Sequence, residues 1–513
     1  MLTYILEGLG AILSVQNFLI MNLGVMAGLI FGSIPGLTVL MCIVLLLPLT
    51  FGMEPTTGMS LLLGAYCGGT FGGSITAIMI NTPGTPAAAA TLADGYGLTK
   101  KGKSHKALNM ALYASVIAGL ISTVVLLGVA PLVAKVAIEF GPAEFFALAM
   151  FGITVIISVS SNNLLKGLIS GFAGIYLSTI GFDPILGIPR LTFGNYNLMS
   201  GINLVPALVG AFSISELLNI VEGLRAEKEA SNFEAPEKTK EDKLTLKELK
   251  ECTKTILKSS FIGTFIGAIP GTGAILASFL SYNEAKRSSK KPEEFGHGSL
   301  EGVAASEAGN NGITGATLIP MMTLGIPGDV VTAVMMGALI MHGLPVGPTL
   351  FVEHSGVAYG VILSLFFINI IMFFQAKIYV KYFVKVCDIN RKLFTAILLC
   401  FCVIGSFAVN SSMFDVFVML TFGIVGYLML KFNFPLIPMV LALVLGPLAE
   451  KSFRQALVIS NNSYAIFIQK PISAIFLTIS LISVVATLYN QYKINHQKRP
   501  GVQLKENSVN AKA

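Results

Sequence analysis

"INTPGTPAAAATLADGY", residues 80–96, sets Asn81, Thr82, Pro83, Gly84, Thr85 and Pro86 inside a chain otherwise apolar enough for a bilayer. Proline removes an amide donor and clashes with the preceding turn, and glycine opens backbone geometries that other residues resist. A helix that reaches Ile80 must therefore stop, and "TPAAAATLADG" can restart one beyond the gap. Broken backbone at membrane depth is tolerated only where protein or a water-filled cavity satisfies the freed groups.

The surroundings are those of a membrane protein. Of 513 residues, 54% are hydrophobic and 12% charged, proportions that soluble domains rarely approach. Between Glu7 and Lys100 the only charged residues are Glu54 and Asp94, so at about 20 residues per crossing this region alone holds several segments. It has no basic n-region and no small-residue cleavage site, so it does not read as a signal peptide. The net charge of +7 reads as loop orientation and not as nucleic-acid affinity. The six cysteines and five histidines are scattered without metal-ligand spacing, which argues against a metal centre or a disulfide framework, and no cofactor is expected.

Hydropathy divides the chain into an N-terminal interfacial segment (1–16), a first transmembrane repeat (17–222) and a charged linker with an amphipathic helix (223–256). A second transmembrane repeat (257–450), a further membrane segment (451–492) and a polar tail (493–513) follow. The expected fold is an all-α polytopic membrane protein with about ten to twelve transmembrane segments in two inverted-topology repeats, with re-entrant or broken helices at Pro-Gly motifs. The repeat rests on paired motifs. "GLIFGSIPG" (28–36) matches "GTFIGAIPG" (263–271), and "INTPG" (80–84) matches "LGIPG" (324–328) at an offset nine residues longer.

Basic residues fall oppositely in the two halves. Lys100, Lys101, Lys103 and Lys106 follow the second motif of the first half, whereas Lys286, Arg287, Lys290 and Lys291 lie between the two motifs of the second. If basic loops face the cytoplasm, corresponding loops lie on opposite sides, as inverted repeats require. Lys451 and Arg454 run against this trend. The same bookkeeping makes 257–280 a re-entrant hairpin with Ile269-Pro270-Gly271 near its tip, and puts the linker and C-terminus in the cytoplasm.

A helix restarting after a break aims unpaired amides at the gap and attracts anions, while freed carbonyls suit cations. The substrate site is therefore expected at Asn81, Thr82, Pro83, Gly84 and Thr85, and at Gly325, Ile326, Pro327, Gly328 and Asp329, with Asn310 and Asn311 nearby. A coupling ion, Na+ or H+, is expected near Pro35, Gly36, Pro270, Gly271, Thr272 and Thr323. Asp329 can equally cap its helix. Glu307 reads as an interhelical hydrogen-bonding group rather than a ligand, and the loop lysines as topology determinants. A lone Pro-Gly kink or small-residue run is commonly mere packing; four breaks in two matched pairs favour a transport site.

"GSIPGLT", "INTPGTPAAAATLADGY", "IGAIPGTG", "EFGHGSLEGVAASEAGNNG" and "TLGIPGD" closely resemble the large membrane subunit of the tripartite tricarboxylate transporters, the TctA family. The resemblance runs from about Gly24 to about Leu350 and continues loosely to about Glu450. It implies a permease of the bacterial inner membrane, not an enzyme, that works with a small membrane subunit (TctB-like) and a periplasmic solute-binding protein (TctC-like). The substrate it implies is a tricarboxylate or related organic anion, moved by an ion gradient through alternating access. Gly97 stands where the family usually has proline, and Asp329 where a small hydroxyl residue is common. A stand-alone ion-coupled carboxylate carrier is the runner-up. An anion channel suits oppositely oriented paired sites less well, and no nucleophile-base or metal constellation supports an intramembrane enzyme.

Overall fold

The computed structural model describes residues 2–160, 163–226, 242–387 and 391–497. The middle of the expected linker and most of the polar tail lie outside them. The described chain is almost entirely helical, its one sheet a hairpin of Gly181–Phe182 with Pro189–Arg190. Eight helices among the described residues are long and apolar enough to cross a membrane, and five shorter apolar helices accompany them. The chain is thus an all-α polytopic membrane protein.

The helices that build the site are α1 (Val15–Ser33), α2 (Pro55–Ile80), α3 (Ala89–Lys100), α4 (Ser104–Ala137), α5 (Leu246–Gly267), α6 (Gly273–Ser288), α7 (Leu300–Ala316), α8 (Leu318–Leu324) and α9 (Val330–Met341). All belong to one compact unit, Met1–Phe140 with Leu177–Phe432; the other comprises Gly141–Tyr176 and Asn433–Ala513. Each unit takes chain from both halves of the sequence. In the smaller unit, Phe146, Phe453 and Phe467 pack ring against ring with centroids 5.0 to 5.4 Å apart, a compact aromatic core.

Small residues decide how closely the larger unit packs. Gly24, Gly28 and Gly32, one turn apart on α1, lie against α2 so tightly that a Cβ at each would stand 2.3 Å from the carbonyl oxygens of Leu61, Ala65 and Gly69. Between α5 and α7, a Cβ on Gly263 would meet the Gly309 oxygen at 2.5 Å and one on Gly267 would meet Ile313 at 2.9 Å. Gly28 and Gly32 occupy the motif positions of Gly263 and Gly267, so matched glycines make matched helix contacts in the two halves. Lipid tails are as apolar as leucine, so such close backbone approach, not hydrophobic expulsion, holds membrane helices together. The outer surface agrees: Phe261, Phe265, Ile275, Leu276, Phe279 and Leu280 of the α5–α6 hairpin are all exposed, a face suited to acyl chains.

The helix α5 begins earlier than hydropathy indicates. Thr245 and Glu248 form a capping box, Thr245 accepting from the Glu248 amide while Glu248 accepts from the Thr245 amide at 2.9 Å. From this cap one helix runs through the boundary at 256/257, so the amphipathic segment and the first arm of the hairpin are a single element. The hairpin turns at Ala268–Thr272, with Gly271 at φ 80°, and Ile269-Pro270-Gly271 lies in that turn.

Gly28→Ala and Gly263→Ala should each destabilise the protein by about 1–3 kcal/mol through overpacking. Gly128→Ala, on α4 with no atom within 4 Å of the new methyl, should be neutral or stabilising by up to about 1 kcal/mol. Thermal unfolding of the detergent-purified variants checks the contrast.

Candidate functional site

The first break begins where α2 ends. Asn81 adopts left-handed backbone, φ 58° and ψ 26°, and its amide donates to the Thr76 carbonyl, a geometry that asparagine and glycine tolerate best. The second break is made the same way. Gly325 ends α8 at φ 70° and ψ 24°, its amide donating to the Pro320 carbonyl. The offset that pairs Asn81 with Gly325 also pairs Thr76 with Pro320, and the next amides follow suit: Thr82 donates to Thr76 at 3.4 Å and Ile326 to Pro320 at 3.3 Å.

The restarts match too. Thr85, extended at φ −130°, accepts from the Ala88 amide and opens the turn that leads into α3. Its counterpart Asp329 caps α9, its carboxylate accepting from the Thr332 amide at 2.8 Å while the Thr332 hydroxyl accepts from the Asp329 amide at 2.9 Å. Asp329 therefore does cap its helix. It also accepts from the Tyr66 hydroxyl of α2 at 2.6 Å, which ties the second break to a helix of the first half.

Each of these breaks rests on the earlier Pro-Gly segment of its own half, 28–36 or 263–271. A Cβ on Gly84 would stand 2.0 Å from the Gly32 oxygen and 2.8 Å from the Gly73 Cα, and the Gly84 amide donates to the Gly73 carbonyl at 3.0 Å. Gly32 lies in the last turn of α1, just before Pro35 and Gly36. A Cβ on Gly328 would stand 2.6 Å from the Thr317 oxygen, and Thr317 is the offset partner of Gly73. The Gly328 carbonyl in turn accepts from the Gly271 amide at 2.8 Å. Pro270, Gly271 and Thr272 are thereby joined to the Gly325–Asp329 break.

The two breaks differ in access. Asn81, Thr82 and Pro83 are exposed and Gly84 and Thr85 partly so, whereas Gly325, Ile326, Pro327 and Gly328 are buried. The hydroxyls of Thr272 and Thr323 donate within their own segments, to Ile266 at 2.6 Å and Ile319 at 2.7 Å. Asn311 donates to Ser115 at 2.8 Å. Asn310, 1% exposed, has neither amide atom paired. Glu307 accepts from Thr91 on α3 and Ser115 on α4, the interhelical bonds expected of it. No group of three or more His, Cys, Asp or Glu residues that could hold a metal ion occurs among the described residues.

A structural centre beside the site is Asp94, fully buried on α3. One carboxylate oxygen accepts the amides of Gly296, Gly298 and Ser299 at 2.8 to 2.9 Å, and the other accepts from the Tyr282 hydroxyl at 2.8 Å. Lys101 donates to the His297 carbonyl at 2.6 Å, and Lys106 pairs with Glu248 at 2.7 Å. The basic loop of the first half, the basic loop of the second and the start of α5 thus share one face. The signal for Asp94 was its rarity: one of two charges in a long apolar run.

Fold and site define a multi-pass helical membrane protein built around paired helix breaks, and the comparisons with known proteins agree. Residues 18–441 match the Tripartite tricarboxylate transporter TctA family, and the chain belongs to that family. It is 36% identical, over 93% of its length and 94% of the relative's, to an uncharacterized 52.8 kDa protein in the TAR-I ttuC' 3' region of Agrobacterium vitis. A second uncharacterized protein, in the TAR-II ttuC' 3' region of the same organism, is 37% identical over 44% of this chain and 93% of its own. No solved structure matches. Membership makes the chain a component of a tripartite tricarboxylate transporter, a system with other subunits, and the family is one of transporters rather than enzymes.

Replacing Asp94 with alanine strands three backbone amides and a phenol, each unsatisfied group costing about 1–3 kcal/mol. The variant should lose at least about 3 kcal/mol, and its 289–299 loop should become protease-sensitive. Limited proteolysis of wild type and variant in detergent reads this directly.

Proposed function

We propose that the chain is the permease of a secondary transporter that imports a tricarboxylate or related organic anion across the bacterial inner membrane. The anion is handed over by a periplasmic binding protein, a small membrane subunit completes the assembly, and a Na+ or H+ gradient drives uptake. The observation that carries this reading is the matched pair of breaks, one exposed and one buried. Alternating access in inverted-repeat carriers works by rocking or gating one repeat against the other around a fixed site, and two breaks of like construction but unequal exposure suit such a device.

The two breaks are suited to different charges. At the first, a neutral Thr85 caps the restart, leaving the helix-end field free to meet a carboxylate, with the Asn81, Thr82 and Thr85 side chains as donors. At the second, the Asp329 carboxyl already accepts the Thr332 amide, so that cap amide is taken and the carbonyls from Gly325 to Gly328 are the groups left for a cation. Asn310 and Asn311 on α7 are neutral groups able to serve either. Gly271 is bonded to the second break, and the backbone carbonyls of Pro35, Gly36, Pro270, Gly271, Thr272 and Thr323 are the coupling-ion ligands of this reading.

The lysine-bearing segments gathered on one face support cytoplasmic placement of 100–106, 281–294 and the start of α5. The inverted-repeat reading follows from it, since these are non-corresponding loops of the two halves. A carrier that works without a binding protein would share every one of these features. It is the second reading, and uptake by the purified chain alone in liposomes separates the two.

Asn81→Gly keeps the left-handed turn and removes only the side chain. The variant should fold normally and raise the half-saturating substrate concentration, by about fivefold for about 1 kcal/mol of lost hydrogen bonding. Wild-type uptake kinetics in this variant would remove Asn81 from the site. Impermeant thiol labelling should reach single cysteines placed in 281–294 only from the cytoplasmic side.

A further inference from the structure

The transport reading leaves one buried acid without a task. Glu307 sits on α7 with no exposed surface, and its carboxyl touches only neutral groups: the Thr91 hydroxyl of α3 at one oxygen and, at 3.3 Å, the Ser115 hydroxyl of α4 at the other. Ser74 on α2 is a third hydroxyl beside it, at a geometry short of a full hydrogen bond. A bare carboxylate in such a place costs several kcal/mol unless it is paired, and a neutral carboxyl does not.

Among the described residues no cation pairs with it. The other titratable groups on helices packed against α7 are engaged elsewhere. Tyr66 on α2 donates to Asp329, Asp94 on α3 is closed by loop amides and Tyr282, and Lys106 on α4 pairs with Glu248. Lys258 on α5 pairs with Glu284 on α6, Lys100 lies over the Tyr96 ring on α3, and Tyr113 of α4 packs on Phe373. On α7 itself Glu301 accepts from Thr255 and Ser289. Cys67 and Cys252 are buried thiols, and Lys135, Lys247, Lys250, Glu251, Lys254, Lys286 and Arg287 are exposed; His105, half-buried in the first turn of α4, lies about 15 Å along that helix from Ser115. The turn Pro86–Ala88 and α8 carry no titratable side chain.

The hydrogen-bond chain around Glu307 accepts either protonation state. With the carboxylate, Thr91 donates to it. With the carboxylic acid, Glu307 donates to Thr91, and Thr91 donates onward to Ser306 at 2.8 Å, a contact in which either oxygen can be the donor. Ser306 meanwhile has the Gly302 carbonyl to donate to at 3.0 Å. No polar atom is stranded by the change. The contacts are direct, oxygen to oxygen, at hydrogen-bonding distance. Asn310 lies on the same helix face, between Ser306 and Thr314 at 3.6 residues per turn, and its unpaired amide offers a further partner on the side facing α2 and α3.

We infer that Glu307 is a proton-binding site of the transport cycle: its carboxylate takes up one proton to become a carboxylic acid and later releases it, with Thr91 and Ser306 reversing their hydrogen bonds. This rests on the ion-driven reading of the protein and selects H+ over Na+, placing coupling at a carboxyl instead of at the carbonyls of the Pro-Gly turns.

The test uses the full chain in lipid, with difference infrared spectroscopy between mildly acidic and mildly alkaline pH and no substrate present. Wild type should show a protonated-carboxyl C=O band that disappears as pH rises, and Glu307→Gln should lack it. Glu307→Asp, which keeps the acid but retracts it from Thr91, should show the band with a shifted midpoint. In the reconstituted tripartite complex, Glu307→Gln should retain counterflow of labelled citrate and lose its acceleration by a pH gradient. A band unchanged in Glu307→Gln, or citrate uptake driven by Na+ at equal pH and untouched by Glu307→Gln, would overturn the inference. A wild-type band that titrates in a complex moving no organic anion would instead overturn the transport reading and leave the proton site standing.

Discussion

A backbone broken inside a bilayer has to find partners for its freed amides and carbonyls within the protein, because hydrocarbon supplies none. That constraint organises the larger unit. The Gly84 amide is satisfied by the Gly73 carbonyl and the Gly328 carbonyl by the Gly271 amide, and neither bond forms unless the chains meet without a Cβ between them. The glycines at 28, 32, 263 and 267, which press α1 onto α2 and α5 onto α7, are the means of that approach. Packing and site are one arrangement: the closeness that holds the helices together is the closeness that closes the breaks.

The two breaks are built alike and depart from symmetry at their caps and in their exposure. Thr85 and Asp329 cap their restarts in the same manner, yet one cap is a hydroxyl and the other a carboxyl. The first break is exposed and the second buried, with Tyr66 holding Asp329 from across the halves.

Much of this was legible in the residues. Asn81 and Gly325 are the residue types that enter left-handed backbone most readily, and both do; Thr85 and Asp329 are strong N-cap types, and both cap. The lysines of 100–106 and those beside α6 indicated a shared face, and Lys101 on His297 lies on it. The start of α5 was hidden by its charge, although Thr245 and Glu248 stand at capping-box spacing. The two compact units, each drawing on both halves, could not be read from periodicity, because membrane helices that are apolar on every side do not announce which neighbour they will meet. The clamp at Asp94 and the hydroxyls around Glu307 come from residues distant in sequence, and only folding brings them together.

The central claim is that the two breaks act as alternating gates on one pathway. Single cysteines at Thr82, exposed, and at Ile326, wholly buried, in a cysteine-free background test it most directly. An impermeant thiol reagent is applied from each side of the membrane, with and without an imposed ion gradient. The account predicts that position 82 labels from one side while position 326 is silent, and that the gradient reverses the pattern with 326 labelling from the other side. Simultaneous labelling of both positions, or a pattern that no gradient alters, would contradict it.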